Sequence, residues 1–152
     1  MPKPSPRLRV ELSDQPGHLA RRIHQLAVAL FAQELGELNV TPVQYSSLQA
    51  ICDTPGLDQT TIAKTIGIDT STIGSVIDRL ESRGLVTRRV AEGDRRVRNV
   101  HPTPAGEALL QAVIPAMLRS QAALLQPLSA RERGEFVRLL KKLAFAGETT
   151  KR

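Results

Sequence analysis

The sequence predicts a mainly α fold, a winged helix-turn-helix with a two-stranded β-wing set between N- and C-terminal helices. Three observations carry this expectation. Residues 41–84 hold three short helices in close succession, each with its own start and stop signals. Directly behind them, valines flank a Glu92-Gly93-Asp94 turn, as in a hairpin. Apolar stripes at both ends of the chain then remain over and need a surface to bury against.

The bulk numbers fit one compact unit. A chain of 152 residues suits one domain with one core. With 41% hydrophobic and 24% charged residues the balance is that of a soluble globular protein, and with aromatics at 3% and no Trp, aliphatic side chains must fill the core. A formal net charge of +6 favours a polyanionic partner. Cys52 is the single cysteine, so no intramolecular disulfide can form and a reducing compartment is expected. The first 18 residues contain no apolar run, and nowhere do about 18 apolar residues follow one another, so a cytoplasmic protein with no membrane partner is expected.

Residues 1–16 carry four prolines and mixed charge, and read as a flexible N-terminal arm. A single domain then spans 17–147, followed by a short tail, 148–152. From about 17 to 36, Leu19, Ile23, Leu26, Ala27, Leu30 and Phe31 recur at three- and four-residue steps, the stripe of a long helix. Gly36 suits a left-handed cap. The next helix opens with Thr41 as cap, Pro42 in the first turn and Gln44 reaching back, and closes at Pro55-Gly56. Asp58 caps a third, short helix to Ile66, with a turn at Gly67, and a fourth helix runs from about 70 to 83, with Gly84 as its stop. Val86, Val90, Val97 and Val100 are β-formers on either side of the turn. Thr103-Pro104 repeats the cap-then-proline signal and starts a long helix through about 125, with Pro115 expected to kink it. Ser129 and Glu132 form a second capping box for a last helix to about 146.

The fourth helix carries the first functional signal. Ile73, Val76, Ile77 and Leu80 form its buried stripe, while Thr70, Ser71, Thr72, Gly74 and Ser75 furnish a face that is small and uncharged. A recognition helix places its amino-terminal residues at base edges in the major groove. Short hydroxyls there permit close approach, hydrogen bonds and contact with thymine methyls. Gly74 removes bulk where a DNA backbone comes near. Thr61 and Arg79 join the same expected DNA-facing set. The second signal is the run Arg83, Arg88, Arg89, Arg95, Arg96 and Arg98 against only Glu92 and Asp94. Arginine throughout suits forked contacts to phosphate or entry into a narrow minor groove.

Catalysis has no such footing. His18, His24 and His101 are widely separated, and no Gly-rich phosphate loop, HExxH, cysteine cluster or G-x-S-x-G is present. No enzyme, no metal and no cofactor is expected.

The stretches QTTIAKTIGIDTSTIGSVIDRLESRGLVTR and GDRRVRNVHPTPAGEALL resemble the MarR family of bacterial transcription regulators, most specifically in the wing pattern Asp94-x-Arg96 followed by Thr103-x-x-Gly106. The likeness implies that residues of about 41–102 bind double-stranded DNA, with Arg96 entering the minor groove and Asp94 orienting it. It implies a homodimer whose N- and C-terminal dimerisation helices, about 17–36 and 103–147, interlock. The chain departs from the common pattern at Gly74-Ser75, where many members have Thr-Arg, and at Pro102, where Leu is usual. The STIGSVIDRLE variant is similar to members that control breakdown of aromatic acids.

The resemblance further implies a repressor released from a pseudo-palindromic operator by a small aromatic or phenolic ligand, bound where the dimer helices meet the winged domain. Arg22, His24, Tyr45 and Ser46 are the candidate polar groups of that cleft, and Leu30, Phe31 and Met117 its apolar wall. Two alternatives stand beside it: an architectural DNA-binding winged-helix protein without effector, and a redox-responsive regulator acting through Cys52.

Overall fold

The computed structural model describes residues 8–148, and the order of its elements follows from local capping. Helix α1 spans Pro16–Leu35 and α2 spans Pro42–Asp53, separated by a short 3-10 turn. Strand β1, Leu57–Asp58, leads into α3, Gln59–Ile66, and α4, Thr70–Ser82. Strands β2, Val86–Ala91, and β3, Asp94–Pro102, form the wing, followed by α5, Pro104–Leu124, and α6, Ala130–Ala144.

Each cap is a side chain satisfying an otherwise orphaned backbone N–H. Thr41 Oγ1 accepts from Gln44 N at 3.2 Å while Gln44 Oε1 accepts from Thr41 N at 3.1 Å, the full capping box. Asp58 caps α3, Asp69 caps α4 and Thr103 caps α5. Ser129 and Glu132 complete a second box at α6. Gly36 takes φ 51°, and Asn39, at φ 49°, completes the left-handed turn out of the connection.

Two features differ from the sequence expectation. The wing belongs to a three-stranded sheet of order β1-β3-β2, because Leu57 and Asp58 pair antiparallel with Val100 and Asn99. Two residues are too few to show a period in sequence. Within the expected arm, Leu12–Asp14 form a 3-10 turn. Residues 1–7 of the arm and 149–152 of the tail lie outside the described residues. Helix α5 runs on through Pro115.

The principal core joins α2, α3, α4 and the base of the wing: Leu48, Ile51, Ile62, Ile73, Ile77, Leu80, Val86 and Val100 are all at most 1% exposed. A second, smaller cluster of Phe31, Leu35, Val40, Val113 and Ala116 packs α1 on α5. The rest of the α1 stripe is not covered: Leu19 and Leu26 are 41% and 51% exposed, and α6 has no buried residue at all.

The start of α5 is locked to the head of the wing. Thr103 N donates to Leu85 O at 3.1 Å and Thr103 Oγ1 donates to Gly84 O at 2.6 Å. A Cβ on Gly106 would stand 2.0 Å from the Leu85 carbonyl oxygen, so glycine is required there by backbone, not by dihedral angle. Gly106→Ala is therefore expected to cost about 3 kcal/mol or more by overpacking, read as a lowered denaturant midpoint. Gly74→Ala, whose Cβ meets nothing nearer than Gln59 Nε2 at 3.9 Å, should instead raise stability by about 1 kcal/mol through helix propensity.

Candidate nucleic-acid interface and ligand pocket

The α3–α4 pair presents one polar edge. Thr70, Ser71, Thr72 and Ser75 are all exposed along the amino-terminal half of α4, opposite the buried Ile73, Ile77 and Leu80. Asp69, at the N-cap, organises this edge. Its carboxylate accepts from the Ser71 hydroxyl, from Thr72 N at 3.0 Å and from Thr72 Oγ1 at 3.1 Å. These bonds hold the Asp69 carboxyl below the usual carboxylate range, the Ser71 hydroxyl first. Thr61, half-buried at the start of α3, donates from Oγ1 to Asp58 Oδ2 at 2.7 Å.

The arginines separate into two groups. Arg79, Arg89, Arg95, Arg96 and Arg98 are exposed, and among the described residues their guanidinium groups have no internal partner. The register explains where three of them go. Val90 pairs with Arg98 and Ala91 with Asp94, so β3 carries Arg95, Arg96 and Val97 where β2 carries nothing. That bulge, with Gly93 at φ 86°, aims the tip of the wing and its arginines outward. Asp94 Oδ1 accepts from Arg96 N at 2.9 Å and so fixes the backbone from which Arg96 projects.

Arg83 and Arg88 are engaged inside the molecule. Arg83 donates to Asn39 O at 2.8 Å, tying the end of α4 to the α1–α2 connection. Arg88 has a side chain only 19% exposed, with its donors directed to Glu81 Oε2 at 2.8 Å, Asp78 Oδ1 at 2.7 Å, Gln59 Oε1 at 2.8 Å and Gly74 O at 3.3 Å. Expected from sequence as a DNA contact, Arg88 instead directs its guanidinium to four acceptors on α4 and α3 and so joins the wing to them. The reason is geometric: it lies at the root of β2, facing the recognition helix, whereas Arg89 on the next residue faces away.

The effector expectation falls on a cavity of about 180 Å³ between α1, α2 and α5, lined by His24, Ala27, Val28, Phe31, Pro42, Tyr45, Ser46, Met117 and Gln121. Five of the seven expected residues, His24, Phe31, Tyr45, Ser46 and Met117, meet there. Arg22 and Leu30 do not line it. His24, Ala27, Val28 and Phe31 share one helix face at steps of three and four, and residues 22 and 30 are turned off that face. Ala27, Val28, Pro42 and Gln121 were missed, although the first two follow from the same helical spacing. The Phe31 and Tyr45 rings stand 5.8 Å apart at 53°, and Tyr45 Oη donates to Gln49 Oε1 at 3.3 Å. Burial first, then Asp53, raises the Tyr45 phenol above its usual range.

Cys52 is half-buried beside the principal core, and burial first, then Glu107 and Asp53, pushes its thiol up. A protonated thiol is a poor nucleophile toward oxidants. Among the described residues no group of three or more His, Cys, Asp and Glu side chains could hold a metal ion, and no helix is long and apolar enough to cross a membrane.

Residue substitutions separate the two arginine groups. Arg88→Ala should lower stability by about 1–2 kcal/mol, since it leaves Glu81 Oε2 and the Gly74 carbonyl without their guanidinium donor while the residue 88 N–H still donates to Glu81 Oε1, and Arg96→Ala should stay within about 0.5 kcal/mol of wild type. Arg88 also holds the Glu81 carboxyl below the usual range, through the Arg88 N–H first. A depressed folded value gives stability that is present above the ordinary carboxylate pKa and lost as pH falls through the lowered one. The deficit of Glu81→Gln at neutral pH should therefore shrink in acid, measured by urea unfolding at pH 7 and pH 3.

Comparison with known proteins places this architecture. Residues 38–97 match the sequence profile of the MarR family. The HTH-type transcriptional repressor NicR of Pseudomonas putida is 33% identical over 138 residues, covering 91% of this chain and 87% of NicR. Among solved structures, the PcaV transcriptional regulator of Streptomyces coelicolor, in complex with its natural ligand, superposes with a TM-score of 0.84 at 34% identity, over 92% of this chain and 99% of that one. BpsR of Bordetella bronchiseptica, whose DNA binding is regulated by 6-hydroxynicotinic acid, gives 0.84 at 32% identity, over 90% of this chain and 97% of that one.

Proposed function

The chain belongs to the MarR family of transcription regulators, and on that premise we propose that it is a homodimeric repressor released from a pseudo-palindromic operator by a small aromatic or phenolic acid. The observation that carries the DNA reading is the pairing of a small, hydroxyl-rich α4 edge with outward arginines on the wing bulge. An α-helix fits the major groove, and Arg inserts into a narrow minor groove alongside. In this reading Thr61, Thr70, Ser71, Thr72 and Ser75 face bases and sugars, Arg79, Arg95, Arg96 and Arg98 meet phosphates and the minor groove, and Asp94 positions Arg96. Arg83 and Arg88 support the head from within.

Dimerisation is supported by what one copy leaves uncovered. Val137, Leu139, Leu140 and Leu143 on α6 are 38% to 75% exposed. An apolar cavity of about 220 Å³ between Ile23, Leu26, Leu124, Leu125, Pro127, Leu128 and Phe136 opens beside them. A second copy offering the same faces would bury both sets, as a two-fold interface requires. The domain division follows: residues 41–102 read DNA, and α1, α5 and α6 pair the copies.

The effector reading rests on the cavity at His24, Tyr45 and Ser46. An apolar cavity of about 150 Å³ is enough to take up benzene, so the space measured here suits a single ring. The polar groups of its lining, His24 and Ser46 with the Tyr45 oxygen as an acceptor, suit a carboxyl or phenol substituent, and the similar PcaV holds its natural ligand while 6-hydroxynicotinic acid regulates BpsR.

Arg96→Ala should weaken binding to all duplexes about equally and reduce the steepness of the salt dependence by about one ion. An architectural protein would instead show no gap between a selected site and random duplex at moderate salt. Ligand and operator must be coupled reciprocally. A monocyclic aromatic acid such as 6-hydroxynicotinic acid should bind the free protein more tightly than the operator complex, by the same factor that it weakens operator binding. Equal affinities in calorimetric titrations of the two would remove the release mechanism.

A further inference from the structure

The hydroxyls of the α4 edge raise a question about base preference that the fold alone does not answer. A hydroxyl carries one donor and two acceptor lone pairs. Asp69 and Asp58 are carboxylates and can only accept, so the bonds from Ser71 Oγ and Thr72 Oγ1 to Asp69, and from Thr61 Oγ1 to Asp58, each consume the hydroxyl proton. Ser75 Oγ likewise donates to Thr72 O at 3.0 Å, and Thr65 Oγ1 to Thr61 O at 2.9 Å. Thr70 is the exception: among the described residues its hydroxyl has no partner.

We infer that the base-reading edge is an acceptor surface, selecting the exocyclic amino groups of adenine and cytosine and the thymine methyl rather than the N7 and O6 acceptors of guanine. This deepens the DNA reading above and rests on α4 entering the major groove. In that groove adenine N6 and cytosine N4 are the donors, guanine N7 and O6 the acceptors. Lone pairs on Ser71, Thr72 and Ser75, backed by the Asp69 charge, attract the former and repel the latter. The methyls of Thr70 and Thr72 add apolar contact for thymine. No arginine projects from the amino-terminal half of α4, where Gly74 and Ser75 stand, so the usual forked guanine contact has no donor there. Asp69 is a specificity-determining residue that acts through the hydroxyls it orients.

The test begins with the full-length protein and a duplex selected from a randomised pool. At the positions covered by α4, adenine is replaced by purine, which lacks the N6 amino group, and cytosine by 2-pyrimidinone, which lacks the N4 amino group. Each loss should weaken wild-type binding roughly five- to tenfold, the size of one unmet hydrogen bond. Ser71→Ala and Thr72→Val should be insensitive to the same replacements, which separates a lost contact from a weakened base pair. Asp69→Asn keeps a good N-cap but brings its own amide donor and a weaker acceptor, so its selected sites should lose the preference for amino groups while folding is retained. The inference is overturned if 7-deaza purines at these positions weaken wild type and the deamino bases do not, for the hydroxyls then donate. If no base replacement matters at any position while Arg96→Ala still weakens binding, α4 does not read the groove, and the functional reading falls with the inference.

Discussion

Arg88 is the contact on which the DNA-facing geometry depends. The wing hangs from the core by two strands, and nothing in a hairpin by itself sets its angle to the recognition helix. One guanidinium, tied at 2.8 Å to both Glu81 and Gln59 and at 2.7 Å to Asp78, joins β2 to α4 and α3 at once. Arg is suited to this because its planar fork offers several fixed donors. The carbonyl of Gly74 is one of its acceptors, so the middle of α4 is tied directly to the root of the wing. Helix α4 and the wing are thereby held together as one unit, with Thr103 and Gly106 locking the far side of that unit to α5.

The second constraint is that α1 and α6 leave apolar side chains uncovered. The principal core closes around the winged domain, with its central side chains almost fully buried. The α1 and α6 stripes do not close, and for a chain of this size such exposed apolar faces mark an interaction surface. The cavity beside His24 and Tyr45 is walled by α1, α2 and α5, and so spans the joint between the winged domain and the helices that remain uncovered. A ligand there can shift the spacing of two wings only by binding one arrangement more tightly than another.

How much of this was legible in the sequence follows from the range of each signal. Caps are local, and Thr41, Asp58, Thr103 and Ser129 are legible because each cap and its partner lie three residues apart; Asp69 obeys the same spacing with Thr72 but is identified as the cap of α4 only in the structure. The buried stripe of α4 was equally plain from its spacing. Arg88 was not separable from Arg89 or Arg96 by composition, since its partners are 7 and 29 residues away and only the folded chain brings them together. Strand β1 is two residues long and owes its state to pairing with β3 rather than to any pattern of its own. In the pocket, Arg22 and Leu30 lie in the interval of sequence that forms the wall but off the helix face that lines it, and the face decides. The need for glycine at 106 is a close approach between distant backbones, which no single sequence displays.

The central claim is that paired copies set two α4 helices into successive turns of one face of the duplex, with wings on the flanks. Hydroxyl-radical footprinting of a genomic fragment recovered by the full-length protein tests it most directly. The account predicts two symmetric protection patterns whose centres lie about 10 bp apart, each with a protected minor-groove tract at its outer side. A single unpaired patch, or faint protection spread evenly along the fragment, would contradict it.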